Sequence, residues 1–184
     1  MEYSPLPEGV LEICRALRSP PRLVAHLTVV HDVACKLAQE LRTKFPTLDF
    51  DEQSVLFGAA THDIGKAVHI QELVQPGHKH EQKGSELLRT RGVPDDLARF
   101  AYTHANWKET PGIQIEDLLV ALADHCWKGK RSSELEAEVT QIISKQTQRE
   151  SWEVFSGLDD MLQRLASDSD QRLSWQAQFP ANGT

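Results

Sequence analysis

PPRLVAHLTVVHDVACKLAQELRTKFP, residues 20–46, is the stretch that decides the fold. Its apolar residues Leu23, Leu27, Val30, Ala34, Leu37 and Leu41 recur every three or four positions. That spacing lines one face of an α-helix and does not fit the alternation of a strand. Pro20-Pro21 starts the helix and Phe45-Pro46 ends it, because proline suits a first turn and breaks an interior.

The same reading extends downstream. Asp51 suits an N-cap for a second helix, which carries Val55, Leu56 and Ala59 and ends near Gly65. Gln75-Pro76-Gly77 signals a turn. Helices are expected over His80–Thr90 and from Asp95 to about His104, separated by Gly92-Val93-Pro94. After a break at Thr110-Pro111-Gly112, Ile115–Trp127 is apolar on most sides, which predicts a central buried helix. Two more helices fit Ser132–Thr147 and Glu150–Ala166. The polar stretch from Ser167 to Thr184 is expected to fray. Alternating Val, Ile and aromatic runs are absent, so the fold class is all-α. The expected organisation is one domain over residues 1–184, with its core at 20–131, a helical extension at 132–167 and a frayed tail.

Composition narrows the function classes. The 184 residues are 40% hydrophobic and carry a formal charge of −7. A chain of this size buries enough surface to fold without staples. The acidic balance argues against general nucleic-acid binding, which needs surplus Lys and Arg. Cys14, Cys35 and Cys126 form no C-x-x-C pair, so neither a zinc knuckle nor a redox dithiol is indicated. No apolar run is long enough to span a membrane. The opening MEYSPLPEGV has no signal-peptide pattern, and a cytoplasmic setting is expected.

The chemistry concentrates in histidine and aspartate. Thr61-His62-Asp63-Ile64-Gly65-Lys66 puts an imidazole beside a carboxylate at a helix end. That pair suits a borderline divalent ion, and a carboxylate can bridge two. Asp124 ends the apolar run Ala121-Leu122-Ala123. A buried acid there needs a cation, either a metal or a partner such as Lys128 or Arg131. His26 and His31 share the long helix but lie roughly 140° apart, so they do not serve the same ion.

With these residues in place, the sequence resembles the HD superfamily of metal-dependent phosphohydrolases. They are all-α bundles whose ligands run His … His-Asp … Asp and sit between central helices. The likeness covers roughly residues 22–131. The family pattern selects His26, which is followed by Val30, Ala34 and Leu37-Ala38, over His31. His31 reads as a half-buried or exposed helix residue. His80-Glu81-Gln82-Lys83-Gly84 is similar to the family's His-x-x-x-Gly segment, and His104 precedes Asp124 by twenty residues, as in two-metal members. His78 lacks the matching glycine and reads as a loop residue. The resemblance therefore implies six ligands: His26, His62, Asp63, His80, His104 and Asp124. One metal takes His26, His62, Asp63 and Asp124. The second takes His80, His104 and a shared Asp63, with a bridging hydroxide as nucleophile. The N/O ligand set favours Fe or Mn and admits Zn, Co or Ni.

Lys66 follows the His-Asp pair by three residues and is assigned, with Asp63, a catalytic role as a phosphate contact. Lys128, Lys130 and Arg131 follow Asp124 and are the candidate substrate-binding cations. Glu81 is a candidate for orienting His80. Tyr102 and Trp107 flank His104 as candidates for stacking on a base. The arrangement resembles that of the small bacterial hydrolases of symmetrical dinucleoside tetraphosphates, and this resemblance implies a phosphorylated small molecule, such as a nucleotide, as substrate. Two other readings stay open: an HD-type diiron oxygenase of a phosphorylated or phosphonate-like molecule, and a nucleotide-binding regulatory module. A homodimer is also left open.

Overall fold

The expected long helix forms as α2, Pro21–Lys44, in a computed structural model that describes residues 2–182. Its stripe residues Leu23, Leu27, Val30, Ala34, Leu37 and Leu41 are all buried. Other faces of α2 are covered as well, because α3 (Glu52–Thr61), α7 (Ile115–Cys126) and α9 (Ser151–Ser167) pack around it. α7 is the central apolar helix the sequence predicts, with Leu118 through Ala123 buried. α8 (Ser133–Thr147) adds Leu135, Val139 and Ile143 to the same core as α9, so the extension packs directly on the central helices. No strand occurs among the described residues.

Local chemistry fixes several ends. The Asp51 carboxylate accepts the backbone N–H groups of Gln53 at 3.0 Å and Ser54 at 3.3 Å, closing the first turn of α3. The helix stops at Thr61, short of the expected Gly65, and Ile64–Ala67 forms a tighter 3-10 turn. Gly65 serves packing there. A Cβ on it would run into the His80 carbonyl, at the start of α4 (Lys79–Thr90). Gly84, one turn further along α4, packs against Gly65 more loosely: a Cβ there would lie 3.0 Å from Ala101 Cβ and 3.2 Å from the Gly65 nitrogen. Two glycines thus let α4 approach the end of α3 closely, and this brings His80 to Asp63. The expected helix from Asp95 is divided into α5 (Asp95–Ala98) and α6 (Phe100–Asn106).

Two expectations are corrected. The segment expected to fray contains a helix, α10, Ser169–Ala177. Arg172 on it is fully buried and donates to the carbonyls of Trp127, Cys126 and Leu165 at 2.8, 3.0 and 2.5 Å. A polar composition hides this anchor, because the acceptors are backbone atoms on other helices. His31, expected half-buried or exposed, is buried. The N-terminal segment covers its side of α2, with the Ser4 backbone N–H donating to Asp32 at 3.1 Å. The sequence reading also missed α1, Glu8–Ala16, whose Val10 and Cys14 join Leu23 and Leu27 in a second small core.

Candidate metal centre

Four elements converge on one buried carboxylate. α2 brings His26, the end of α3 brings His62 and Asp63, α4 brings His80, and α6 brings His104. The two oxygens of Asp63 are divided between them. Oδ2 lies 2.8 Å from His26 Nε2 and 3.5 Å from His62 Nε2. Oδ1 lies 2.9 Å from His80 Nε2 and 3.7 Å from His104 Nε2. Asp124, near the end of α7, adds Oδ1 at 3.5 Å from His62 Nε2. All six side chains picked from the sequence therefore meet at one place, and His31 and His78 are not among them.

The ring tautomers follow from the partners on the far side. His62 Nδ1 lies 2.9 Å from the Ala59 carbonyl, and His104 Nδ1 lies 3.1 Å from the Phe100 carbonyl. A carbonyl only accepts, so each Nδ1 carries the proton and donates it. His80 Nδ1 is held in the same way by Glu72 Oε2, at 2.6 Å. A ring held this way, whenever it is neutral, carries its lone pair on the Nε2 that faces the cluster, the form that ligates a metal. His26 is the exception, since its Nδ1 is buried without a partner.

The electrostatics call for positive charge. Burial penalises the Asp63 carboxylate, yet His62 and Lys66 hold its pKa well below the ordinary range. Burial likewise opposes ionised Asp124, and His62 and Lys128 outweigh it. Burial pulls His62 down, but the two carboxylates overcome this and hold it up at about 9. Burial and the nearby His62 charge push His104 down to about 3, so its Nε2 lone pair is free. Two carboxylates buried this close together call for a compensating cation, and a divalent metal would displace the His62 proton.

The donor set fits a divalent metal. Donor atoms of His26, His62 and Asp124 lie within 4.8 Å of one another, as do those of His62, Asp63 and His104. His80 falls outside both triples but reaches the cluster through Asp63 Oδ1. Buried imidazole nitrogens and carboxylate oxygens at such spacing are an N/O environment for a divalent metal.

The cations are less uniform than their spacing predicts. Lys66 Nζ lies 2.5 Å from Asp63 Oδ2, and Lys128 Nζ lies 3.0 Å from Asp124 Oδ2. Both also line a cavity of about 560 Å³ over the cluster, a size typical of small-molecule sites. Lys130 and Arg131, expected to bind substrate, are not among its lining residues. Gly129 adopts φ +70° and turns the chain away after α7. Arg131 then pairs with Glu136 and Asp159, each at 2.7 Å.

Asp124 combines both sequence alternatives: it pairs with Lys128 and also faces His62. Trp107 lines the cavity, whereas Tyr102 is exposed elsewhere. Glu81 approaches His78 Nδ1 at 3.3 Å, so the orienting role foreseen for it belongs to Glu72. No sequence spacing links Glu72 to His80, because a turn with Gln75-Pro76-Gly77 brings them together. Gly77 makes room for this approach, since a Cβ there would collide with the Glu72 side chain.

The HD-domain family model matches residues 23–127, a range that contains all six clustered side chains. Neither a curated protein nor a solved structure matches the chain. No helix among the described residues is long and apolar enough to cross a membrane.

Proposed function

The chain belongs to the HD-domain family, whose members have the fold of metal-dependent hydrolases, and from that premise we propose that it hydrolyses phosphoester or phosphoanhydride bonds in a small molecule, most plainly a nucleotide. The observation that carries this reading is the division of Asp63. One oxygen faces His26 and His62, the other faces His80 and His104, as a bridging carboxylate between two cations would. We assign His26, His62, Asp63 and Asp124 to one divalent ion, and His80, His104 and Asp63 to the other. Fe and Mn suit this set best, with Zn, Co and Ni admitted.

When bound, two such ions supply Lewis acidity that lowers the pKa of water and attracts phosphoryl oxygens. The protein's own groups do the rest. Asp63 and Asp124 give the site its anionic ligands, and four neutral imidazoles complete it without adding charge. Six ligands with two negative charges leave a two-cation site net positive, which attracts phosphate. Lys66 places an ammonium beside Asp63, where it can stabilise negative charge developing on the transferred group or the leaving oxygen. Lys128 does the same beside Asp124. Burial of the cluster strengthens each of these interactions relative to water.

The test is elemental analysis of protein purified without added metal, joined to a hydrolysis screen of phosphoesters and nucleotides with and without O2. Hydrolysis that a chelator removes, that Mn²⁺ or Fe²⁺ restores and that ignores O2 is the expected result. Turnover that consumes O2 would point to the oxygenase chemistry of the same ligand set. Ligand binding without turnover under either condition would point to a regulatory module.

A further inference from the structure

The cavity has a wall that lies outside the family match. Gln176, on α10, lines it together with Trp107, Lys66 and Lys128. Arg172 is four residues earlier, on the same face of that helix. Arg172 is 1% exposed, and its guanidinium has backbone carbonyls for partners: Cys126 and Trp127 at the end of α7, and Leu165 in the last turn of α9. Carbonyls at a helix C-terminus carry partial negative charge, so one buried cation serves two helix ends. The α7 turn it holds is the one that carries Asp124 and Lys128. The far end of α10 is tied separately, since Arg22 donates to the carbonyls of Phe179 at 2.9 Å and Ala177 at 3.2 Å. Trp175 packs on Tyr3, with ring centroids 4.7 Å apart.

Such anchoring is more than a polar surface helix needs to lie on a core. Its consequence is that Gln176 and Asp124 keep a fixed relation. A carboxamide offers a donor and an acceptor in one plane, which suits the edge of a base or a sugar hydroxyl. Trp107 offers an aromatic face on the same cavity, where a base can stack. The phosphate end is defined by Lys66 and Lys128, and the cavity of about 560 Å³ has room beyond a phosphate.

We propose that Arg172 and Gln176 form a recognition unit: Arg172 is a positioning residue that fixes α10 to the end of α7, so that Gln176 hydrogen-bonds the nucleoside part of the substrate. This rests on the hydrolase reading for its phosphate end, and it adds a specificity residue from outside the matched domain.

The experiment is a binding titration, followed by tryptophan fluorescence or calorimetry, of the Mn²⁺-loaded 184-residue chain. The probes are inorganic phosphate and the 5′-monophosphates of adenosine, guanosine, cytidine and uridine. The parent is expected to bind at least one nucleotide more tightly than phosphate. Gln176→Leu raises that nucleotide's Kd about five- to tenfold, the loss of one hydrogen bond, and leaves the phosphate Kd unchanged. Arg172→Lys weakens the same nucleotide, and combining it with Gln176→Leu adds nothing further, since both act at one contact. Arg22→Gln, which loosens only the far end of α10, makes the same comparison should Arg172→Lys not fold. Gln176→Leu with parent Kd values, an equal loss for phosphate, or additive effects in both double variants would overturn the proposal. A parent that hydrolyses p-nitrophenyl phosphate but binds nucleotides no better than phosphate keeps the hydrolase reading and overturns this one. Nucleotide binding through Gln176 with no phosphoester hydrolysis does the reverse.

Discussion

Glu72 Oε2 lies 2.6 Å from His80 Nδ1, and the same carboxylate accepts the backbone N–H groups of Lys79 and His80 at 3.2 Å each. One side chain thus closes the first turn of α4 and fixes which nitrogen of His80 faces Asp63. Loss of an orienting partner of this kind typically costs about 10- to 100-fold in metal affinity. Glu72→Ala is expected to fall in that range in a chelator-competition titration. Glu72→Gln, which keeps an acceptor, should recover part of the loss. Gly77→Ala should resemble Glu72→Ala, because its Cβ would displace the carboxylate. Parent metal affinity in Glu72→Ala would show that His80 needs no support.

His26 and His31 lie on one helix and are both buried, but only His26 points at Asp63. His26→Ala should lose the ion shared with Asp124, read as metal per chain. His31→Ala should keep the parent metal content and activity. Its cost should appear instead in thermal stability, about 1–3 kcal/mol for a truncated buried residue. Loss of metal in His31→Ala, with metal retained in His26→Ala, would reverse the assignment.

The fold class, the long helix, the His62-Asp63 pair and Asp124 were legible because each leaves a local mark, whereas His26, His80 and His104 were picked out by the family resemblance. The stripe of α2 repeats every three or four residues, and the His-Asp pair is adjacent in sequence. Glu72, Arg172 and Gln176 were not legible. Glu72 reaches His80 across a turn, and Arg172 is held by carbonyls that every residue possesses. Arg131 misled for a related reason: it sits near Asp124 in sequence, but Gly129 reverses the chain and sends it to Glu136. Burial of His31 was hidden because its cover comes from residues near Ser4, far away in sequence.

His80 and His104 come from separate helices and meet only in the folded bundle. Replacing either with Ala should weaken the second ion more than the first and lower hydrolysis by orders of magnitude, with the far-ultraviolet helical signal unchanged. Excess Mn²⁺ should partly rescue His104→Ala, since mass action refills a weakened site. Parent rates with parent metal content in both variants would make this a one-metal enzyme.

Asp51 supplies a prediction away from the site. Bonds from Ser54 and Gln53 hold its carboxyl below the ordinary carboxylate range. A folded pKa below the unfolded value means the stabilisation is present above the unfolded pKa and is lost as pH falls through the folded one. Asp51→Ala should therefore cost about 1 kcal/mol at neutral pH. In denaturant titrations the gap between parent and variant should close as pH drops below about 4. A gap that stays constant down to strongly acid pH would show that the carboxylate charge does not contribute.

The central claim is that Asp63 bridges two ions, and metal content of the parent and of Asp63→Ala, both purified without added metal, tests it most directly. The account predicts about two divalent ions per parent chain and close to none in the variant, because both ions lose a ligand with that one side chain. One full equivalent retained by a folded Asp63→Ala protein would contradict it.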